Sequence, residues 1–540
     1  MVVNQMEEGV ALNKVKQSFI EGAFILLAAG MINRLLGFIP RMTLPRIIGA
    51  EGVGLYQLGY PLLIAVLTII TGGIPIAVAK LVAEAEAEQD KRKILSVLKA
   101  AFTILFAVSI PLTIALWALA PWIATRLLTD ERVYFTLLSM CPIVILVGIS
   151  SVIRGYFQGK SNMIPTALSQ VAETLVRSVF VLLFAYLLLP YGVQFAAAGA
   201  MGGVLFGELV SAVILLWQLY SDHQREPSSA FQSSDRLQTA ATRNNRTLGR
   251  LLAIAIPVTG SKMVGSASYF LESVMIVQSL AIAGVATAMA TAQYGMLQGM
   301  VMPILLLPGV LTYSLSVSLV PSLSEAHAQN DMRTIHKRLH QSIRLALVCG
   351  VPFVVIMLVL AEPLCEILYG DPAPGQMLKW MAPFALFLYV QNPLQATLQA
   401  LDKPGAALVN TFMGAAVKLI LIYLFAAKLE WGMTGAVIAI CCNIALVTIL
   451  HWNSVHALTG FSMRFSYLWK ALVVAGLMAT IIYGLMYRSG LGYIPFKFAA
   501  SLVCGMGVYF LGCYAVGVIQ KRDLFRLPWI GVRLARRFKP

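Results

Sequence analysis

A few charges lie where an apolar chain has least use for them. Arg34, Arg177, Lys262 and Lys418 each fall inside a long, mostly apolar stretch, and so do the carboxylates Glu173, Glu208 and Glu272. A charge in hydrocarbon is costly, so such a residue lines a polar cavity or pairs with another charge. The chemistry on offer is binding. A guanidinium grips a phosphate through a planar fork of donors, and an ammonium adds a point charge. Glu173 and Arg177 stand at i and i+4, so they can neutralise one another in an ion pair that fixes helix packing. Arg34 and Lys418 have no acid at i±3 or i±4. Together the cations suit an anionic head group, whereas the three carboxylates suit charge pairing or ion coupling. There is no hydrolase, nucleotide-binding or metal-ligand spacing, and the six histidines sit in loops or at expected helix ends. No catalytic residue, cofactor or metal is therefore expected.

These charges must be held by membrane helices. The chain is 59% hydrophobic and only 12% charged, with a mean hydropathy of +0.80, against roughly 25% charged residues in soluble domains. Apolar stretches of about 20 residues recur along it, the length that crosses a hydrocarbon core as a helix. Lipid offers the backbone no hydrogen-bond partner, so each must be helical. The expected spans are 18–44, 55–82, 95–120, 134–154, 164–189, 194–220, 251–283, 293–320, 342–361, 377–400, 406–427, 432–452, 466–487 and 495–519. An even count puts both termini on one side. Gly37, Pro40 and Pro45 in the first span, Gly72, Gly73 and Pro75 in the second, and Pro257, Pro303 and Pro308 in the seventh and eighth predict kinks. Met1 to Lys16 carries no signal-peptide pattern. The seven cysteines mostly fall within spans and read as small packing residues.

The net charge of +16 is distributed by loop parity, not along a soluble face, which excludes nucleic acid as a partner. Most Lys and Arg fall in loops and tails on the side of the termini, so both termini are expected to be cytoplasmic in a cell-membrane protein. Residues 221–250 are rich in Ser, Asn and Gln and read as a flexible linker. The tail, with Lys521, Arg522, Arg526, Arg533, Arg536, Arg537 and Lys539 among apolar residues, suits the anionic inner leaflet.

The two halves are related. Glu84, Ala85, Ala87, Asp90, Arg92 and Ile94 recur as Glu325, Ala326, Ala328, Asp331, Arg333 and Ile335, each shifted by 241 positions. The same shift carries Leu119, Leu127, Asp130, Met140, Pro142 and Gln158 onto Leu360, Leu368, Asp371, Met381, Pro383 and Gln399. Six helices precede the second copy, so the copies run parallel about an axis along the membrane normal. The expected fold class is an all-α polytopic membrane protein of about 14 transmembrane helices, with two parallel-oriented six-helix lobes plus two extra C-terminal helices. The expected divisions are an N-lobe at 1–220, a cytoplasmic linker at 221–250, a C-lobe at 251–460, two added helices within 461–520, and a basic cytoplasmic tail at 521–540.

The run Arg34, Leu35, Leu36, Gly37, Phe38, with Arg41, Arg46, Gly49, Gly52, Gly54 and Tyr56, resembles the first-helix signature of the multidrug/oligosaccharidyl-lipid/polysaccharide exporter superfamily. The stretches SSVIRGYFQGKSNMIPTALSQ (150–170) and LPYGVQFAAAGAM (189–201) resemble its polysaccharide-biosynthesis branch in spore-forming bacteria, which is related to the MurJ-type lipid II flippases. The resemblance implies a flippase for a polyprenyl-pyrophosphate-linked saccharide such as a peptidoglycan precursor. It implies two lobes rocking about a cationic cavity, with the last two helices forming a groove for the lipid tail. First-helix arginines are functional in that family. Arg34 matches one, and Arg41 lies one residue beyond a second, which falls at Pro40. Expected partners are the lipid-linked saccharide, membrane lipids and the cell-wall synthesis machinery. An exporter of another lipid-linked glycan, such as a teichoic or capsular unit, and an ion-coupled drug antiporter of the same superfamily remain alternatives.

Overall fold

The computed structural model describes residues 19–224, 237–463, 466–490 and 492–518. The tail at 521–540 and part of the expected linker lie outside the described residues. Among the described residues the chain is all-α and forms two compact units, Met1–Val274 and Met275–Pro540. The elements of the first unit are α1 (Phe19–Thr71), α2 (Ile74–Ala87), α3 (Lys91–Trp122), α4 (Val133–Gly159), α5 (Ile164–Leu188) and α6 (Val193–Gln224), with most of α7 (Leu237–Ile282). The second holds α8 (Gly309–Ala328), α9 (Met332–Val359), α10 (Pro374–Ala400), α11 (Pro404–Ile422), α12 (Gly432–Thr459), α13 (Ser466–Tyr483) and α14 (Ile494–Ala515). All fourteen expected spans fall mainly on helix. Eleven helical stretches among the described residues are long and apolar enough to cross a membrane. The first of these, Phe24–Ala87, has 64 residues, about three times the length one crossing needs.

Two boundaries differ from the sequence-based expectation. The gap expected between the first two spans is helical except at Gly49, whose φ of 69° and ψ of 178° a side chain rarely permits. One glycine therefore does the work of a loop. The second crossing is broken at Gly72–Gly73, before α2, as its Gly72, Gly73 and Pro75 predict, since Pro75 cannot donate to the carbonyl one turn earlier. Finally, α7 starts at Leu237, so residues 237–250 of the expected linker are helix. The run LQTAATRNNRTL contains neither Gly nor Pro to stop it.

The sequence repeat is also present in the backbone. Asp90 caps α3 by accepting from the Lys93 N–H, and Asp331 caps α9 by accepting from the Thr334 N–H. Positive φ recurs at the same shift, in Gln89 and Asn330, Thr129 and Gly370, and Ser161 and Asp402.

Small residues set the closest helix contacts, as expected where lipid supplies no hydrophobic drive. On α6, Gly199, Gly203 and Gly207 form one stripe, and an added Cβ at Gly203 would lie 2.3 Å from the Val181 nitrogen of α5. In the second unit, Val348, Val351 and Val355 of α9 pack with Ala471, Val474, Met478 and Ile482 of α13 and with Tyr509 and Cys513 of α14. Gly505 and Gly512 of α14 meet Ile482 and Val474, while Gly476, Gly484 and Gly507 have no neighbour where a Cβ would stand.

Candidate functional site

The first part of α1 carries two stripes. Phe24, Met31 and Leu35 are 70%, 59% and 73% exposed and repeat at helical spacing, a lipid-facing edge. Arg34 and Arg41, both exposed, stand at i and i+7. The helix runs unbroken through Pro40, so they share a face about 10 Å apart along the axis and about 100° round from Leu35. Arg41 lies within electrostatic range of Tyr56 and of Tyr269 on α7. Arg177 of α5 is also within electrostatic range of Tyr56 and Tyr60, whose rings are 6.1 Å apart. Arginine forks and phenol hydroxyls are both able to donate to an oxyanion.

A second set of charges is paired around buried carboxylates, with its arginines partly buried. Glu173 accepts from Arg177 Nη1 at 3.0 Å and from Arg154 Nη2 at 2.7 Å, and the same Arg154 nitrogen donates to Ser211 Oγ at 2.8 Å. Gly207 allows this meeting of α5 and α6, since a Cβ there would lie 2.7 Å from the Arg177 Cβ. Its neighbour Glu208 is buried beside Glu173, and its Oε2 has no hydrogen-bond partner among the described residues. The pairing expected between Glu173 and Arg177 is present, but Arg154, the second cation, comes from the end of α4.

The remaining expected site residues lie elsewhere. Lys262 of α7 donates to the Gly72 carbonyl at 2.8 Å. Glu272 is buried further along α7. Lys418 is buried on the packed face of α11 with Asn410 and Gly414. Asn410 donates to Ser454 of α12, and Gly414 meets Asn443 and Val447 of the same helix. Arg34, Arg41, Arg177, Lys262, Glu173, Glu208 and Glu272 belong to the first unit, and Lys418 belongs to the second.

The second unit also holds an apolar cavity of about 360 Å³, walled by Ile343 and Leu347 of α9, Pro383, Leu386, Phe387 and Val390 of α10, Thr448, Ile449 and Trp452 of α12, and Met463. The one hydroxyl in this wall, on Thr448, is turned to the carbonyls of Ile444 and Phe387. A flexible hydrocarbon chain fits such a wall.

The polysaccharide biosynthesis protein profile matches residues 19–327, and the MatE profile matches residues 263–424. Stage V sporulation protein B of Bacillus subtilis (strain 168) is 39% identical over 524 residues, covering 96% of this chain and 100% of that protein. The chain belongs to the polysaccharide biosynthesis protein family. Lipid II flippase MurJ of the same organism is 23% identical over 542 residues, covering 95% of this chain and 98% of that protein. The fold is shared with a solved structure of lipid II flippase MurJ in an inward closed conformation, at a TM-score of 0.68 and 14% identity over 93% of this chain and 100% of that one.

Within this polysaccharide biosynthesis fold, sequence reasoning missed Arg154 and the partner of Lys262. The expected fourth span ended at Arg154 itself, so the residue read as a helix end, although the run SSVIRGYFQG continues the helix to Gly159. The only earlier signal was that Arg154 lies within a stretch that resembles the family.

Proposed function

We propose that this protein flips a polyprenyl-pyrophosphate-linked saccharide, a peptidoglycan precursor of the spore cortex, across the cytoplasmic membrane by alternating access of two lobes. No bond is made or broken in this process. The observation that carries the reading is the Arg34 and Arg41 stripe: two exposed guanidinium groups on one face of a membrane-crossing helix, turned away from its apolar edge. A pyrophosphate entering a low-dielectric path needs fixed cations to offset lost hydration. The apolar cavity of the second unit suits the prenyl tail, and its volume lies within the roughly 300–1,000 Å³ of small-molecule sites. Likeness to a sporulation protein and to a lipid II flippase supports the choice of cargo. In this reading both termini are cytoplasmic, the lobes are 1–220 and 251–460, and the cell-wall synthesis machinery supplies or consumes the cargo.

The test is rescue of a strain depleted of its lipid II flippase, with membrane abundance followed by immunoblot. Growth on the wild-type chain supports the reading. Failure at normal abundance points to another lipid-linked glycan, such as a teichoic or capsular unit. A second reading, an ion-coupled antiporter, draws on the buried Glu208 carboxylate. It predicts that Glu208→Gln uncouples transport from the ion gradient while preserving abundance.

A further inference from the structure

We infer that the first part of α7, Thr247 to Lys262, is a latch closed onto α2 and α3, and that Lys262 is its positioning residue. The break at Gly72–Gly73 leaves carbonyls at the end of α1 without their usual helical donors, because Pro75 has no N–H and α2 starts afresh at Ile74. Lys262 reaches across from α7 to the Gly72 carbonyl at 2.8 Å. An ammonium at the carbonyl end of a helix is favoured by both the hydrogen bond and the helix dipole.

The contact depends on the two glycines. A Cβ at Gly73 would stand 2.1 Å from the Ala255 oxygen and 2.6 Å from its Cα, and one at Gly72 would stand 3.0 Å from the Thr259 Cα. Backbone therefore meets backbone along Ala255, Thr259 and Lys262, spaced i, i+4 and i+7 on α7. Nearer the start of α7, round the helix from that line, Arg250 Nη2 lies 2.7 Å from Glu84 Oε2 of α2, and Thr247 accepts from Ser96 Oγ of α3 at 3.3 Å. These outer contacts are polar and partly exposed, so they can be made and broken at little cost. The helix carrying them continues past Val274 into the second unit without a described break. Release of this line frees the beginning of α7 while the rest of the helix stays in place. That movement is a gate.

The latch rests on the proposed transport only for its functional consequence, so the experiment reads the two separately. Ser96→Cys and Thr247→Cys are combined in the full chain, and disulfide formation in membranes is followed with a mild oxidant. The latch predicts rapid cross-linking that slows about fivefold with Lys262→Ala and is kept by Lys262→Arg, whatever the cargo. It also predicts that cross-linked protein loses rescue of the depleted strain and that reductant restores it. A cross-linking rate unchanged by Lys262→Ala overturns the role given to Lys262. Full rescue by fully cross-linked protein overturns the latch as a moving part, and absence of cross-linking in the double-cysteine chain overturns the contact itself. A chain that cross-links as expected but never rescues leaves the latch standing and removes the cargo.

Discussion

Two groups of arginines in the first unit differ in exposure and in what they tie together. Arg154 and Arg177 share the buried carboxylate of Glu173 and are held by α4, α5 and α6. Arg34 and Arg41 stand exposed on one face of α1. The first group already has its anion within the fold, and removing that carboxylate leaves two partly buried charges without their ion pair. The second group stands on an exposed face of one helix. Charge inside a membrane protein is thus not one kind of evidence, since a cation that ties helices to a buried carboxylate holds the fold, while one exposed on a single helix face can meet a substrate.

The comparison is strained most by Glu173→Ala. It removes the carboxylate that both guanidinium groups share and leaves Glu208 as their acidic neighbour, at a cost of about 3 kcal/mol, the low end for breaking a buried pair. The expected outcome is near-complete loss of accumulated protein, read by immunoblot and by thermal unfolding in detergent. Gly203→Val comes next, because the new side chain must push α5 away from α6 at a contact with no space for a Cβ. A destabilisation of about 1–3 kcal/mol is expected, with a lowered midpoint in the same assay. By contrast, Arg34→Lys and Arg41→Lys are expected to leave that midpoint within about 0.5 kcal/mol of wild type. Rescue of growth is expected to be partial, since a point charge does not reproduce the fork.

The smallest effect concerns the repeated caps. Asp90→Ala is expected to cost about 1 kcal/mol. Its counterpart Asp331 is held below the usual carboxylate range by the Thr334 hydroxyl first and the Thr334 N–H second. A carboxylate with a lowered folded pKa contributes stability that is fully present above its unfolded value and lost as pH falls through the folded one. The difference in unfolding midpoint between wild type and Asp331→Ala should therefore be constant from neutral pH to about pH 4 and shrink below it.

How much of this was legible in the sequence depends on distance along the chain. The spans were legible because lipid forces apolar runs of one length, and the duplication because Asp90 and Asp331 keep the same capping task. The pairing of Glu173 with Arg177 was legible because it lies within one turn. Arg154 reaches Glu173 across 19 positions and Ser211 across 57, and Lys262 reaches Gly72 across 190. No local pattern announces such meetings. The kink at Gly72–Gly73 could be expected from its residues, but the lysine that caps it could not. The loop expected between the first two spans failed for a similar reason, since one left-handed glycine turns the chain while its neighbours remain helical.

The central claim is that the exposed pair, and not the buried network, meets the anionic head group. The most direct measurement uses purified protein in vesicles and a fluorescent polyprenyl-pyrophosphate saccharide whose outward exposure is read by an added quencher. The double variant Arg34→Ala, Arg41→Ala is compared with wild type at equal reconstituted amount and equal unfolding midpoint. The account predicts that flipping falls at least tenfold while the fold is unchanged. Flipping at the wild-type rate by that variant would contradict it.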